Sequence, residues 1–154
     1  CDAIVVPRRR SRMARDADGP QVRGQVLLTP VTDFTFATPS YAENGEGYVL
    51  TAALMHWFVG TYVDAKDRRD PRINLLAGDH RRLPPALVVT AEFDPLRDEG
   101  AAFAAKLQAA DVGATHIRAR GQIHTSIPMV DVLPTGAQYR ATMADAIKRF
   151  ASSG

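Results

Sequence analysis

The sequence predicts an α/β fold in which a parallel sheet of about three strands is flanked by helices. Three short apolar runs of strand type occur along the chain, and each is followed by a stretch whose apolar residues have helical spacing. This alternation is typical of parallel strands joined by helices that cover the sheet. A chain of 154 residues with 45% hydrophobic residues has the size and composition of one globular domain.

The first strand and the helices around it are predicted from residues 8–63. Residues 8–17 favour a short helix, and Val22–Pro30 contains the apolar run Val26–Leu28, which the strand breaker Pro30 follows. Residues 34–47 are mixed in character and predict a loop. Tyr48–Val63 predicts an amphipathic helix, because large apolar side chains recur at helical spacing. We interpret these side chains as its core-facing stripe: Leu50, Leu54, Trp57 and Phe58.

Two further strand and helix pairs complete the predicted order. Ala86–Ala91 is an apolar strand, and the helix after it is expected to begin at Asp94-Pro95, because Asp is a favoured N-cap and Pro a favoured first helical residue. Asp98 and Glu99 would lie in the first turn of this helix and complement its dipole. Ala114–Ala119 predicts the third strand and Gln138–Phe150 the last helix.

A carboxylate and an imidazole follow two of these strands. Asp94 comes after the second strand, and His124 follows the third across a turn at Gly121. Both side chains should lie at the same edge of the sheet, within ~2.6–3.2 Å of each other. An imidazole, with an ordinary pKa near ~6.5, can take a proton from a hydroxyl while a carboxylate fixes its tautomer. The local alternatives are a helix cap for Asp94 and an ordinary loop residue for His124.

The nucleophile of such a site is not found in the sequence. No Gly-x-Ser-x-Gly occurs, and Ser126 lies two residues past His124 on the same predicted loop. The remaining serines lie in contexts that do not suggest a nucleophile: Ser11, Ser40, Ser152 and Ser153. The other three histidines, His56, His80 and His116, have no metal-ligand spacing, so we expect no metal and no cofactor.

Leu83–Gly100 and Gly121–His124 resemble the C-terminal half of hormone-sensitive-lipase-like (group IV) esterases and lipases of the α/β-hydrolase family. Leu27–Asp33 and Asp70–Ala77 are similar to other parts of that half. The resemblance implies a partial α/β-hydrolase fold with the N-terminal half missing. It also implies that Asp94 is the catalytic acid and His124 the catalytic base of a carboxylic ester hydrolase.

The resemblance covers about Gly19 to Phe150 and has departures. Thr125-Ser126 follows His124 where the family usually has Gly-Phe. The nucleophile elbow and the oxyanion motif would lie ahead of residue 1. Residues 1–18 fit the family poorly, so we interpret them as an altered or disordered basic segment ahead of a domain at 19–154.

Two functional hypotheses follow. In the first, the chain is the acid and base part of an esterase, inactive alone, which acts on a small acyl ester only if an upstream segment completes it. Trp57 and Phe58 could then line an acyl pocket instead of packing in the core. In the second, the chain is a non-catalytic remnant or an interaction module derived from such an esterase.

The charge distribution and hydropathy of the sequence argue against nucleic-acid binding and against a membrane span. The net charge is +2, and the run Arg8–Arg10 lacks interleaved aromatic residues, so we expect no nucleic-acid binding. No apolar run approaches the ~20 residues of a membrane span, and a single cysteine favours the cytoplasm. The first strand would have an exposed edge beside its apolar residues, which predicts self-association through that edge. The helix at Tyr48–Val63 would also lose part of its packing surface, which would leave Trp57 or Phe58 partly exposed.

Overall fold

The computed structural model describes residues 11, 13, 15–19, 21–71 and 73–152. Ser11, Met13, Arg15 and Asp16 are helical, within the stretch where a short helix is predicted. The basic run Arg8–Arg10 and most of the predicted 1–18 segment lie outside the described residues.

The described residues form the predicted parallel sheet. Its strands are β1 (Gln25–Leu28), β2 (Ala86–Phe93) and β3 (Ala114–Ile123), hydrogen-bonded in the order β1-β2-β3. Both pairs are parallel. The strands therefore end at one common edge, as the prediction requires.

Within residues 21–71 and 73–152, four α-helices accompany the sheet: α1 (Pro39–Asn44), α2 (Ala52–Tyr62), α3 (Arg97–Ala109) and α4 (Ala137–Ser152). Helix α1 lies where the sequence predicted only a loop. Its short turn is stabilised by distant partners that local sequence does not reveal. The Ser40 hydroxyl donates to the Pro95 carbonyl at 2.6 Å, and the Ser40 N–H donates to Asp98 at 2.9 Å.

The core is divided between the two faces of the sheet and a third cluster. Leu27 and Val88 pack with Phe103 and Leu107 of α3 on one face. On the opposite face, Val26, Val89 and Ala119 pack with residues of α4: Tyr139, Met143, Ala146 and Phe150. The third cluster joins α1 and α2 to Leu96, in the turn between β2 and α3.

Helix α2 presents a different face to the core from the predicted stripe, although the expected exposure of Trp57 or Phe58 is confirmed. Met55 and Val59 are buried, whereas Trp57 is 62% exposed and Phe58 45% exposed. Leu54 is also exposed, and of the predicted stripe only Leu50, which precedes the helix, is buried. Because the helix is apolar around most of its circumference, spacing alone could not identify its inward face. None of the described helices has the length and apolar character of a membrane span.

Candidate active site

The first residue of the site is Asp94, directly after β2. It is fully buried, and its Oδ1 accepts the Leu96 N–H at 2.9 Å, while its backbone carbonyl accepts the Arg97 N–H at 3.1 Å. These bonds form a turn ahead of α3, whose N-cap position is Leu96. The prediction that the helix begins at Asp94-Pro95 is therefore wrong by two residues, because Pro95 and Leu96 form the turn.

The second carboxylate oxygen of Asp94 faces His124. Its Oδ2 lies 2.8 Å from His124 Nδ1, within the distance expected from the sequence, and His124 is only 5% exposed. An ionised carboxylate only accepts hydrogen bonds, so Nδ1 is the donor and the neutral ring has its lone pair on Nε2. No hydrogen-bond partner of Nε2 lies among the described residues. The pair is thus arranged to accept a proton at Nε2.

The strand register explains why these two side chains meet. Along most of the β2–β3 ladder, each β2 residue pairs with the residue 28 positions later, as in Ala86↔Ala114 and Ala91↔Ala119. At Phe93↔Ile123 the separation is 30 positions. Two extra residues of β3 therefore bulge out beside Glu92, and His124 comes into line with Asp94.

A buried polar network surrounds Glu99, in the first turn of α3. Glu99 is 1% exposed, and its Oε1 accepts the backbone N–H of Thr32 at 2.6 Å and that of Asp33 at 3.2 Å. Burial raises the pKa of Glu99 to about 7. Burial and the neighbouring Glu99 carboxyl raise the pKa of the Tyr41 hydroxyl well above its usual range.

Sequence reasoning assigned Glu99 only to the helix dipole and missed its contact with residues after β1. Those partners are 66 and 67 positions away in the chain. The local sequence hinted at the burial of Glu99 only through its position, one turn before the core residue Phe103.

None of the other described serines or histidines is hydrogen-bonded to the Asp94–His124 pair, and the buried Ser11 hydroxyl has no described hydrogen-bond partner. The Ser126 hydroxyl lies 2.8 Å from both Gln122 Oε1 and the Ile123 carbonyl, within its own loop. Among the described serines, none forms a hydrogen bond with His124. His80 contacts the Leu75 carbonyl and His116 the Thr90 hydroxyl. The described part of the chain contains no cluster of three or more potential metal ligands.

Comparison with known proteins identifies the architecture. A family profile described as alpha/beta hydrolase fold matches residues 9–127. The chain belongs to this family, in its hormone-sensitive-lipase-like branch. The resemblance given by the residues around Asp94 and His124 is therefore confirmed at the level of the family.

Among the α/β-hydrolases it is similar to several esterases. Carboxylesterase NlhH of Mycobacterium tuberculosis is 33% identical over 144 residues, which cover 90% of this chain and 45% of the relative. Carboxylic ester hydrolase LipN of the same organism is 43% identical over 111 residues, covering 70% of this chain and 29% of the relative.

The chain is also similar in fold to part of a solved esterase structure. The Pyrobaculum calidifontis esterase superposes with a TM-score of 0.88 at 36% identity, over 94% of this chain and 48% of that one. The chain thus spans about half the length, or less, of these relatives. The described sheet is accordingly part of the complete α/β-hydrolase fold, as the sequence predicts.

Proposed function

We propose that this chain supplies the acid and the base of a serine-dependent carboxylic ester hydrolase, with Asp94 as the acid and His124 as the base. The observation that carries the proposal is the buried 2.8 Å contact between Asp94 Oδ2 and His124 Nδ1, which leaves Nε2 without a described partner. The family and the names of the related esterases support the choice of reaction.

In this reaction His124 transfers one proton in each of two steps, acylation and deacylation. Its Nε2 accepts the proton of a serine hydroxyl as the oxygen attacks the ester carbonyl, and then donates it to the leaving alcohol. A water molecule repeats the sequence on the acyl-enzyme, releasing the acid and restoring the serine. Asp94 holds the ring with Nδ1 as donor and stabilises the imidazolium that forms.

The serine comes from a segment other than residues 11–152. The Ser40, Ser126 and Ser152 hydroxyls bind partners other than His124. The Ser11 hydroxyl is buried and has no hydrogen-bond partner among the described residues, and the sequence contains no Gly-x-Ser-x-Gly. The chain alone is therefore expected to be inactive, and a small acyl ester becomes its substrate when an upstream segment is present. The cytoplasm is the compartment that the single cysteine favours.

A chimera tests this proposal. The segment of the Pyrobaculum calidifontis esterase that precedes its matched part is joined to this chain, and hydrolysis of a short-chain aryl ester is measured. We expect no turnover by the chain alone, turnover by the chimera, and loss of that turnover in the His124→Ala chimera. His116→Gln is the matched control, since it replaces a histidine of β3 that contacts Thr90.

The alternative, a non-catalytic remnant or interaction module, makes the opposite prediction. It is favoured by the absence of a described hydroxyl partner at His124 Nε2. A folded chimera without turnover, or one whose turnover survives His124→Ala, would reject the esterase proposal in favour of this alternative.

A further inference from the structure

The bulge in β3 decides which residue lies opposite Asp94. With the separation of 28 positions that holds up to Ala91↔Ala119, the residue aligned with Asp94 would be Gln122. The bulge moves His124 into that place. Because side chains alternate along a strand, a shift of two residues keeps every side chain on its own face, so burial alone does not exclude the shorter register.

The three residues of the bulge, Arg120, Gly121 and Gln122, have specific hydrogen-bond partners. The Gly121 N–H, at the middle of the bulge, donates to Glu92 Oε2 at 2.8 Å. Gly121 has a φ of +70°, a conformation that favours glycine. The flanking Arg120 N–H donates to the Tyr139 hydroxyl, and the Gln122 side chain contacts Thr135.

Glu92 is the single β2 residue that lies opposite the three bulge residues of β3. Its side chain is 27% exposed, and its Oε1 also lies 3.4 Å from the Arg118 guanidinium. The Arg118 contact is long and half-exposed, whereas the Gly121 contact is short and satisfies a backbone donor. Of the two contacts that the Glu92 side chain makes, the hydrogen bond to Gly121 is therefore the one that bears on the bulge.

We propose that Glu92 is a positioning residue, whose carboxylate holds the β3 bulge through the Gly121 N–H and thereby places His124 against Asp94. The inference rests on the proposed function, because it gives Glu92 a role toward that acid–base pair. Glu92 itself makes no contact with Asp94 or His124 among the described hydrogen bonds.

Nitrogen-15 NMR of the histidine rings in the full chain tests the proposal without any need for catalysis. In the wild type, we expect His124 as the Nδ1–H tautomer with a downfield, slowly exchanging Nδ1–H signal that disappears in Asp94→Ala. Glu92→Ala should lose this signal. Glu92→Gln should keep it, because the amide oxygen still reaches the Gly121 N–H.

Two further variants test whether the His124 signal depends on the Glu92–Gly121 hydrogen bond and not on ion pairs. Arg118→Gln removes the ion pair and should keep the signal. Glu43→Gln removes another carboxylate that pairs with an arginine, Arg97, and should also keep it. Retention of the His124 signal in Glu92→Ala would overturn the proposal while leaving the acid–base pair intact. A wild type without any Asp94-dependent signal would overturn this proposal and the proposed function together.

If Glu92→Ala does not fold, a comparison of Glu92→Gln with Glu92→Asp decides. The aspartate keeps the charge but is one methylene too short for the Gly121 N–H. Signal in the glutamine variant and none in the aspartate variant would support the proposal. Retention in both, or loss in both, would overturn it.

Discussion

At the scale of single residues, Asp94 combines the two roles between which its local sequence could not choose. Oδ1 stabilises the turn before α3 through the Leu96 N–H, and Oδ2 holds the His124 ring. A helix-start pattern and a catalytic acid are therefore compatible in one carboxylate, because its two oxygens point to different partners. The catalytic roles of Asp94 and His124 stay predictions.

Replacement of the buried Glu99 should change how stability depends on pH. Burial raises its pKa from 4.5 to about 7, so the folded chain holds a proton that the unfolded chain has lost. The unfolding free energy should fall as the pH rises from about 4.5 to about 7. Glu99→Gln cannot titrate and still accepts the Thr32 N–H, so above pH 7 it should be more stable than the wild type by on the order of 3 kcal/mol.

The difference between Glu99→Gln and the wild type is measured by urea denaturation at pH 4.5 and 8. His116, whose pKa burial lowers, titrates in both proteins and cancels from the difference. Exposed Glu46→Gln is the matched control and should show no such change. Equal stability of Glu99→Gln and the wild type at pH 8 would contradict the assigned protonation.

The proximity of Asp94 and His124 could be predicted because each follows a strand that the sequence predicts. The residues that support them could not. Glu99 meets Thr32 across 67 positions, and Glu92 meets Gly121 across 29. Both contacts depend on strand order and on a bulge, neither of which leaves a periodic signal.

At the scale of elements, the strands were predicted well and the helices less so. The number and parallel direction of the strands β1, β2 and β3 match the prediction. Helix α1 was missed because its buried Ser40 is anchored to Pro95 and Asp98, far along the chain. The face of α2 was misassigned because apolar residues surround that helix.

The packing of α3 against the sheet makes a specific prediction at Gly100. A Cβ atom there would lie 2.6 Å from the Thr90 Cγ2 and 3.3 Å from Pro30 Cγ. Gly100→Ala should therefore destabilise the chain by about 1–3 kcal/mol, despite the higher helix propensity of alanine. Thermal and urea unfolding measure this change.

Gly60 in α2 is the matched control for Gly100. A Cβ atom at this exposed helical position would meet no heavy atom within 4 Å. Gly60→Ala should therefore stabilise the chain by roughly 0.5–1 kcal/mol. Equal effects of the two substitutions would contradict the close approach of α3 to β2 and Pro30.

At the scale of the whole molecule, β1 has only one partner strand among the described residues. The N–H groups of Gln25 and Thr29 donate toward β2. Because successive groups of a strand alternate in direction, the backbone groups of Val26 and Leu28 point to the other side. Trp57, Phe58 and Tyr62 are also exposed on α2.

We propose that copies of the chain associate through this edge of β1. Light scattering after size exclusion should give a mass that rises above 16.7 kDa with concentration. The combined substitutions Trp57→Ser and Phe58→Ser should leave the association intact. Its loss in that variant would assign the contact to α2, and a monomer with a cooperative melt above ~65 °C would exclude self-association.

The account rests on Asp94 and His124 acting as one unit, and a double-mutant cycle on the active chimera tests this most directly. Asp94→Asn keeps an acceptor for the Leu96 N–H but loses the carboxylate, so kcat/KM should fall by on the order of 10⁴. His124→Ala should cost at least as much, and the double variant should lose no more activity than His124→Ala alone. Losses that multiply in the double variant would contradict the account, because they would show that the two residues act independently.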